Sequence, residues 1–420
     1  MRHKRNHITV FEHQSIRVGQ KIDDIIFDEN KLIAFQEYYG EQGIPYFSLS
    51  NKGIKFNQYV GAIQIGGLLV EVLPKADNQF EKNIEKSHWR NILIDMLHAV
   101  GEFEIHAPSS STLKLRSNSI LDLYFIIFIN EVEYLLHSGL IKKYRKKEGN
   151  CTALKGTLLF NKQIQYNIAH QERFYVRHTT YDKEHLLHYI LFKTISLLNL
   201  INTNPALHGK IGSLLLNFPE MPDIKISENT FNRIVYNRKT LVYKKALEIA
   251  RLLLMQYHPD IKNGENNVLA LMFDMNKLWE QFIYISLRKH FKTIPITAQT
   301  TKLFWKPQTG YSSKIRPDIV INRNNENCIV LDTKWKNLNG YNPSPEDLRQ
   351  MYVYHDYYRA KKVALIYPGN KLNHSKGIYV HPLTDEDFGK ECSVLTLTVD
   401  ANIKKWQESI YNEVRVRFGL

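Results

Sequence analysis

A chain of 420 residues is long enough for two to three domains at roughly 150 residues each, and too long for one small module. Its apolar share of 43%, with 12% aromatic, rules out a disordered chain. The 56 Lys and Arg residues against 42 Asp and Glu leave a charge of +14 with His neutral, which favours a polyanionic partner, nucleic acid before membrane. The cysteines Cys151, Cys328 and Cys392 form no C-x-x-C pair, which fits a reducing cytoplasm and argues against a structural zinc. The longest nearly apolar run, Ile120 to Ile129, is interrupted by Asp122 and is half a membrane span. The basic start MRHKRNHITVFEH has no apolar core behind it, so no secretory signal is read. The expectation is a cytoplasmic protein without a membrane partner.

In chain order, residues 1 to about 80 read as strands and turns. The run VGAIQIGGLLVEVLPKA (60–76) carries a Gly66-Gly67 pair and stops at Pro74, the pattern of strands broken by a bend. From about 87 the period lengthens: Trp89, Ile92, Leu93, Met96, Leu97 and Val100 predict an amphipathic helix. A loop is expected over 107–118, then a long buried helix over 119–140 that stops at Gly139. The basic run 142–147 lies just beyond, where cations favour the helix dipole; phosphate contact is the alternative reading of that run. Segments 185–201 and 240–257 read as further helices, joined by a proline-bearing connector, 217–227. Near Asn263-Gly264 the character changes: a helix over 267–291, strands at 314–322 and 328–336, a helix over 345–360, and strands at 361–369 and 393–400. That is an α/β order with a mixed sheet. Three regions follow: β-rich 1–105, helical 106–260 and α/β 261–420.

Two strands around 314–336 bring carboxylates together. Asp318 follows Pro317 at the start of one apolar run, and Asp332 ends another. Residues two apart on a strand share a face, so Asp332 and Lys334 point the same way. A hairpin across 324–327 places Asp318 beside them. Two carboxylates and one ammonium in a small volume suit Mg²⁺, with Mn²⁺ as a substitute, because Mg²⁺ takes one or two carboxylates and keeps other positions for water and phosphate. Lys334 would orient or help deprotonate an attacking water, or sit against the phosphoryl oxygens. Glu280, midway along the preceding helix, is a third candidate acid, and Gln350 and Tyr354, four apart on the next helix, would hydrogen-bond substrate or Lys334. Lys336 reads as a phosphate contact or a solvated strand end. A lone D-x-K on a strand is commonplace; the Pro-Asp upstream and the flanking helices are what lift it above the background.

This order, with FDMNKLWEQF (273–282), KIRPDIVI (314–321) and VLDTKWK (330–336), resembles the PD-(D/E)xK nuclease superfamily and, within it, the McrC subunits of McrBC modification-dependent restriction systems. The stretches VEVLPKA (70–76), HSGLIKKY (137–144) and ALKGTLLF (153–160) are similar to the same family. The resemblance implies an α/β fold: an N-terminal β-rich partner-docking region, a helical middle, and a restriction-endonuclease-like domain with a mixed sheet flanked by helices. It implies a Mg²⁺-dependent endonuclease for double-stranded DNA carrying methylcytosine, with Asp318 and Asp332 as metal ligands, Lys334 and Glu280 as catalytic groups, and Gln350, Tyr354 and Lys336 in support. It also implies a partner, a hexameric McrB-like AAA+ GTPase that the chain stimulates. No G-x-x-x-x-G-K-[ST] loop occurs in the chain, so a nucleotide motor in trans is consistent with the sequence. Two other readings stand beside this one: a stand-alone repair or recombination nuclease, and a non-catalytic activator of an AAA+ motor.

Overall fold

The computed structural model describes residues 6–40, 43–75, 84–101, 119–258, 267–338, 340–381, 383–384 and 386–420. Backbone contacts divide the chain into two compact units, Met1–Ser109 with Met272–Leu420, and Ser110–Leu271. The first unit therefore gathers the β-rich N-terminal stretch and the C-terminal α/β stretch. The strand Val268–Asp274 runs across the division.

In the first unit, Tyr59–Ile65 and Leu68–Leu73 pair antiparallel with Ile65 opposite Leu68, so Gly66 and Gly67 form a two-residue hairpin turn. Gly66 has φ +53°, the positive value such turns demand. Every residue of Leu68–Leu73 is buried. The strand Asn6–Phe11 adds to it in parallel, and the helix Ile84–Val100 packs against it. The first 80 residues are not strands alone. Glu29–Tyr39 is a helix, opened by the Asp28 side chain accepting from the Lys31 backbone N–H and holding Leu32 and Phe35 inward.

In the second unit the helices Ile120–His137, Leu186–Ile201, Pro205–Asn217 and Lys244–Met255 pack together. The loop expected over 107–118 lies outside the described residues. The first of these helices opens at Ser119, whose Oγ accepts from the Asp122 N–H, and closes at Ser138 with Gly139 in the left-handed region. The basic run 142–147 is not a solvated helix cap. It enters a strand, Lys143–Cys151, paired antiparallel along its whole length with Phe174–Asp182. Two of its charges are met at the far end of the partner strand: Arg145 bonds Asp182 at 3.1 Å and also pairs with Glu184, and Lys147 lies 3.5 Å from Glu184.

The helix expected over 267–291 begins as the strand Val268–Asp274, and Met275–His290 alone is helical. A short apolar run fits either state by periodicity, and the Asp274 carboxylate decides the switch by accepting from the Asn276 and Lys277 N–H groups. Beyond it stands a six-stranded mixed sheet in the order Ile296–Ala298, Ile319–Ile321, Ile329–Thr333, Lys362–Gly369, Asp387–Thr398, Asn373–Val380. Its central pairings, Ile329–Thr333 with Lys362–Gly369 and that strand with Asp387–Thr398, are parallel; the outer ones are antiparallel. The helix Pro345–Tyr358 makes the crossover between the first two parallel strands. It covers one face, where Met351 and Tyr354 meet Val320, Val330, Val363 and Leu365. The helix Met275–His290 packs on the sheet too and against Ile403–Phe418, with the Phe282 and Trp406 rings 4.7 Å apart. That C-terminal helix and the strand Asn373–Val380 have no counterpart in the sequence expectation.

A buried carboxylate ties the N-terminal strands to the loop after Ile329–Thr333. Glu12 accepts from the Lys75 backbone N–H at 2.8 Å and from the Trp335 indole N–H at 2.6 Å, both on Oε1. Its Oε2 has no hydrogen-bond partner, and burial pushes its pKa up to about 7. The folded chain thus keeps this proton between pH 4.5 and 7, where the unfolded chain has released it, so stability falls as pH rises through that window and levels off above it. Glu12→Gln should remove this slope. The melting temperature of the variant relative to the parent should rise between pH 5 and pH 8; a difference that stays constant over that range would show that Glu12 does not titrate there.

Candidate active site

The strand pair Ile319–Ile321 and Ile329–Thr333 sets the site. Val320 lies opposite Val330, so one step outward on the same face brings Asp318 beside Asp332. The face is the one under the helix Pro345–Tyr358, and both acids therefore sit at the upper edge of an apolar layer. The hairpin geometry expected from the sequence is present.

Each acid is fixed differently. Asp318 accepts from Thr333 twice on Oδ2, from the backbone N–H at 2.7 Å and from Oγ1 at 2.8 Å. Asp332 is 1% exposed, and its Oδ2 lies 2.8 Å from the Lys334 ammonium, a charge contact without the alignment of a hydrogen bond. Its Oδ1 faces the Gln350 amide N–H at 3.4 Å. Gln350 in turn accepts from Lys334 at 3.3 Å and donates to the Tyr354 hydroxyl at 2.8 Å, which donates to the Arg316 carbonyl at 3.1 Å. Gln350, which touches both charges of the site, is thus supported by Tyr354, four residues on along the same helix face.

The electrostatics are those of crowded acids. Burial, then the Asp318 charge, pushes Asp332 up to about 7 despite Lys334. Burial also raises Asp318, while the Thr333 bonds and the Lys334 charge oppose the rise. For Lys334 burial acts downward, but the carboxylates, Asp332 foremost, hold it above the ordinary lysine value. Glu280 is raised by burial and by the Asp318 charge; its Oε1 accepts from Gln299 at 2.6 Å. Glu280 therefore lies within reach of the Asp318 charge, on the neighbouring helix. Lys336 is turned aside: its ammonium pairs with Asp347 at 2.6 Å and lies 5.8 Å from the Tyr367 ring.

Four contributors escaped the sequence reading. Thr333 stands inside the D-T-K triplet, so its adjacency was visible, but its bond to Asp318 needs the strand pairing. Gln299 comes from the edge of the sheet with φ +51°, and nothing in its sequence neighbourhood marks it. Arg316 precedes Pro317-Asp318, and its charge lowers both Asp318 and Glu280. Asp347, in the first turn of its helix, holds Lys336 and accepts from the Tyr367 hydroxyl at 3.3 Å.

The donor set tests directly against a divalent cation. Among the described residues no three His, Cys, Asp or Glu side chains cluster closely enough to hold a metal ion. Two carboxylates are present, one of them, Asp332, buried with an oxygen that takes no hydrogen bond and raised in its affinity for positive charge by burial and by the Asp318 charge. That falls short of a full protein cage and fits Mg²⁺ or Mn²⁺, hard cations that accept one or two carboxylates and keep water and phosphate ligands.

A mixed sheet with an acidic pair, a lysine two residues beyond one acid and a crossover helix reaching the same point defines a class: α/β domains that gather buried acids and a lysine at one end of the sheet. A protein-family model described as the McrBC 5-methylcytosine restriction system component matches residues 54–368, and the chain belongs to that family. No curated protein matches. Among solved structures, the chain is similar to one described as a refined half-complex from a tetradecameric assembly of Thermococcus gammatolerans McrB AAA+ hexamers with bound McrC. That likeness has TM-score 0.72 and 19% identity, over 97% of this chain and 100% of the matched one. A second is a cryo-EM structure of the Thermococcus gammatolerans McrBC complex, with TM-score 0.51, 21% identity, and 67% and 87% covered. At such identities both speak for the fold. Among the described residues no helix is long and apolar enough to cross a membrane.

Thr333→Val keeps the backbone bond to Asp318 and removes the hydroxyl one. Losing such an outer support should weaken Mn²⁺ binding about 10- to 100-fold in a calorimetric titration of the full chain. Unchanged affinity would show that the Thr333 hydroxyl supports no cation site at Asp318.

Proposed function

We propose that this chain is the nuclease subunit of a McrBC-type restriction system, cutting methylcytosine-bearing DNA with Mg²⁺ and working with, and stimulating, a hexameric McrB-like AAA+ GTPase. The observation that carries the reading is the convergence of Asp318, Asp332 and Lys334, with Lys334 Nζ 2.8 Å from Asp332 Oδ2. The family membership and the McrB hexamers named for the similar structure support the partner, and the +14 charge supports DNA.

Asp318 and Asp332 would hold the cation. When bound, the cation supplies positive charge to the scissile phosphate and acidifies water at the site. Lys334, held above the ordinary lysine value, stays an ammonium at neutral pH. It places a positive charge where the phosphoryl oxygens would lie. Glu280 has the opposite character: a partly buried carboxylate raised toward neutrality accepts a proton more readily, so it orients the attacking water and takes its proton. Gln350 meets both groups, accepting from the Lys334 ammonium and facing Asp332 Oδ1, and so helps hold the lysine and the acid in place.

The test is cleavage of methylated plasmid by the full chain with an McrB-like GTPase, GTP and Mg²⁺. Asp332→Ala should abolish cutting while the variant still co-purifies with the GTPase, and Lys334→Ala should slow it about 10²- to 10³-fold, the scale for losing one transition-state charge contact. Full cutting by Asp332→Ala would refute the assignment. Cutting by the parent chain without nucleotide or GTPase would favour a stand-alone nuclease.

A further inference from the structure

Beside the acidic pair stands a small hairpin of unusual composition. The strands Lys302–Trp305 and Ser313–Ile315 pair antiparallel and form a two-stranded sheet of their own. From 302 to 316 the chain carries Lys302, Lys306, Lys314 and Arg316 and no acid. Its large apolar side chains are turned outward: Phe304 is 44% exposed, Trp305 58% and Tyr311 99%. A hairpin gains no stability from exposed rings, and such a patch among polar groups marks a contact surface.

The hairpin is anchored and borders the site. The Lys302 ammonium bonds the Tyr357 carbonyl at 2.7 Å and lies 4.7 Å from the Tyr358 ring, and the Phe304 and Tyr357 rings are 5.3 Å apart. Between this root and the helix Pro345–Tyr358 opens a cavity of about 580 Å³, lined by Phe304, Lys314, Arg316, Gln350 and Tyr354 among others. Gln350 is the side chain that reaches Asp332, so the cavity begins where the acidic site ends. Its lining holds two aromatic rings and two cations and, among the described residues, no carboxylate. Cations without acids call for a polyanion, and a ring among them calls for a polyanion with flat faces; a nucleic acid strand has both.

We propose that the 302–316 hairpin is a DNA-gripping arm: Lys314 and Arg316 take phosphates flanking the scissile one, and Phe304 stacks on a base of the strand entering the cavity. This rests on the nuclease reading and specifies on which side of the acidic pair the duplex runs. Lys302 anchors the arm to its helix and does not contact DNA.

The test uses the full chain carrying Asp332→Ala, so that DNA stays intact, and a short fluorescent duplex with a single-stranded overhang, whose unpaired bases offer a free face, in an anisotropy titration over a range of salt. Phe304→Ala should weaken binding about 5- to 150-fold, the scale of one base–aromatic stack, and Phe304→Tyr should restore it. Lys314→Ala, at an exposed position that no fold contact depends on, should flatten the plot of log affinity against log salt by about 0.9. Absence of duplex binding, or binding by both variants equal to that of the parent, overturns the arm. Cleavage is followed in parallel with Asp332 intact. Arm-dependent binding without cleavage sinks the nuclease reading alone; cleavage with arm-independent binding sinks the arm alone.

Discussion

The site depends on one electrostatic constraint: two carboxylates held side by side at the edge of a buried layer. Asp318 and Asp332 are adjacent because Val320 pairs with Val330, and that register is locked by the apolar face it buries. A slip of one residue would turn every side chain of the strand to the opposite face, so the packing that stabilises the sheet also dictates the acids' proximity. Proximity is unfavourable in itself, since burial and mutual repulsion push Asp332 up to about 7. The chain answers with Lys334 on one acid and Thr333 on the other, and leaves an appetite for further positive charge. The rest of the domain serves that arrangement.

The support is layered. The helix Pro345–Tyr358 belongs to the core through Met351 and Tyr354, yet the same helix face supplies Gln350 to both charges of the site. On the N-terminal side, Glu12 receives the indole N–H of Trp335, the residue after Lys334. The loop carrying the lysine is therefore pinned by a buried carboxylate from the first strands of the chain. Residues about 320 apart in sequence thus share a buried hydrogen bond within the one unit that the N-terminal and C-terminal stretches form.

Much of the fold was legible. The Gly66-Gly67 turn, the 3.6-residue stripe from Trp89 to Val100, the long helix after Ser119 and the 318/332 hairpin all follow from local periodicity and turn chemistry, which act over a few residues. The misreadings have equally local causes. The run 268–273 is apolar throughout, so periodicity fits either state and the Asp274 cap marks where the helix begins. The basic run 142–147 looked like a solvated helix end because the acids that meet it, Asp182 and Glu184, lie nearly forty residues on and reach it only once two strands pair. Among site residues, Asp318, Asp332 and Lys334 carried their own spacing, whereas Gln299 and Arg316 carried none.

By itself, the sequence determined the chemistry on offer: a basic chain, a strand pair bearing two acids and a lysine, and helices on either side with polar groups at helical spacing. Those are properties of neighbours, encoded by periodicity. Only the tertiary structure decided which charge meets which. It joined Lys334 to Asp332, diverted Lys336 to Asp347, aligned Thr333 with Asp318, and set an aromatic hairpin beside the pair. Pairing partners come from register and burial, which are settled by the whole core competing for the same apolar surface, and no short stretch of residues contains that competition.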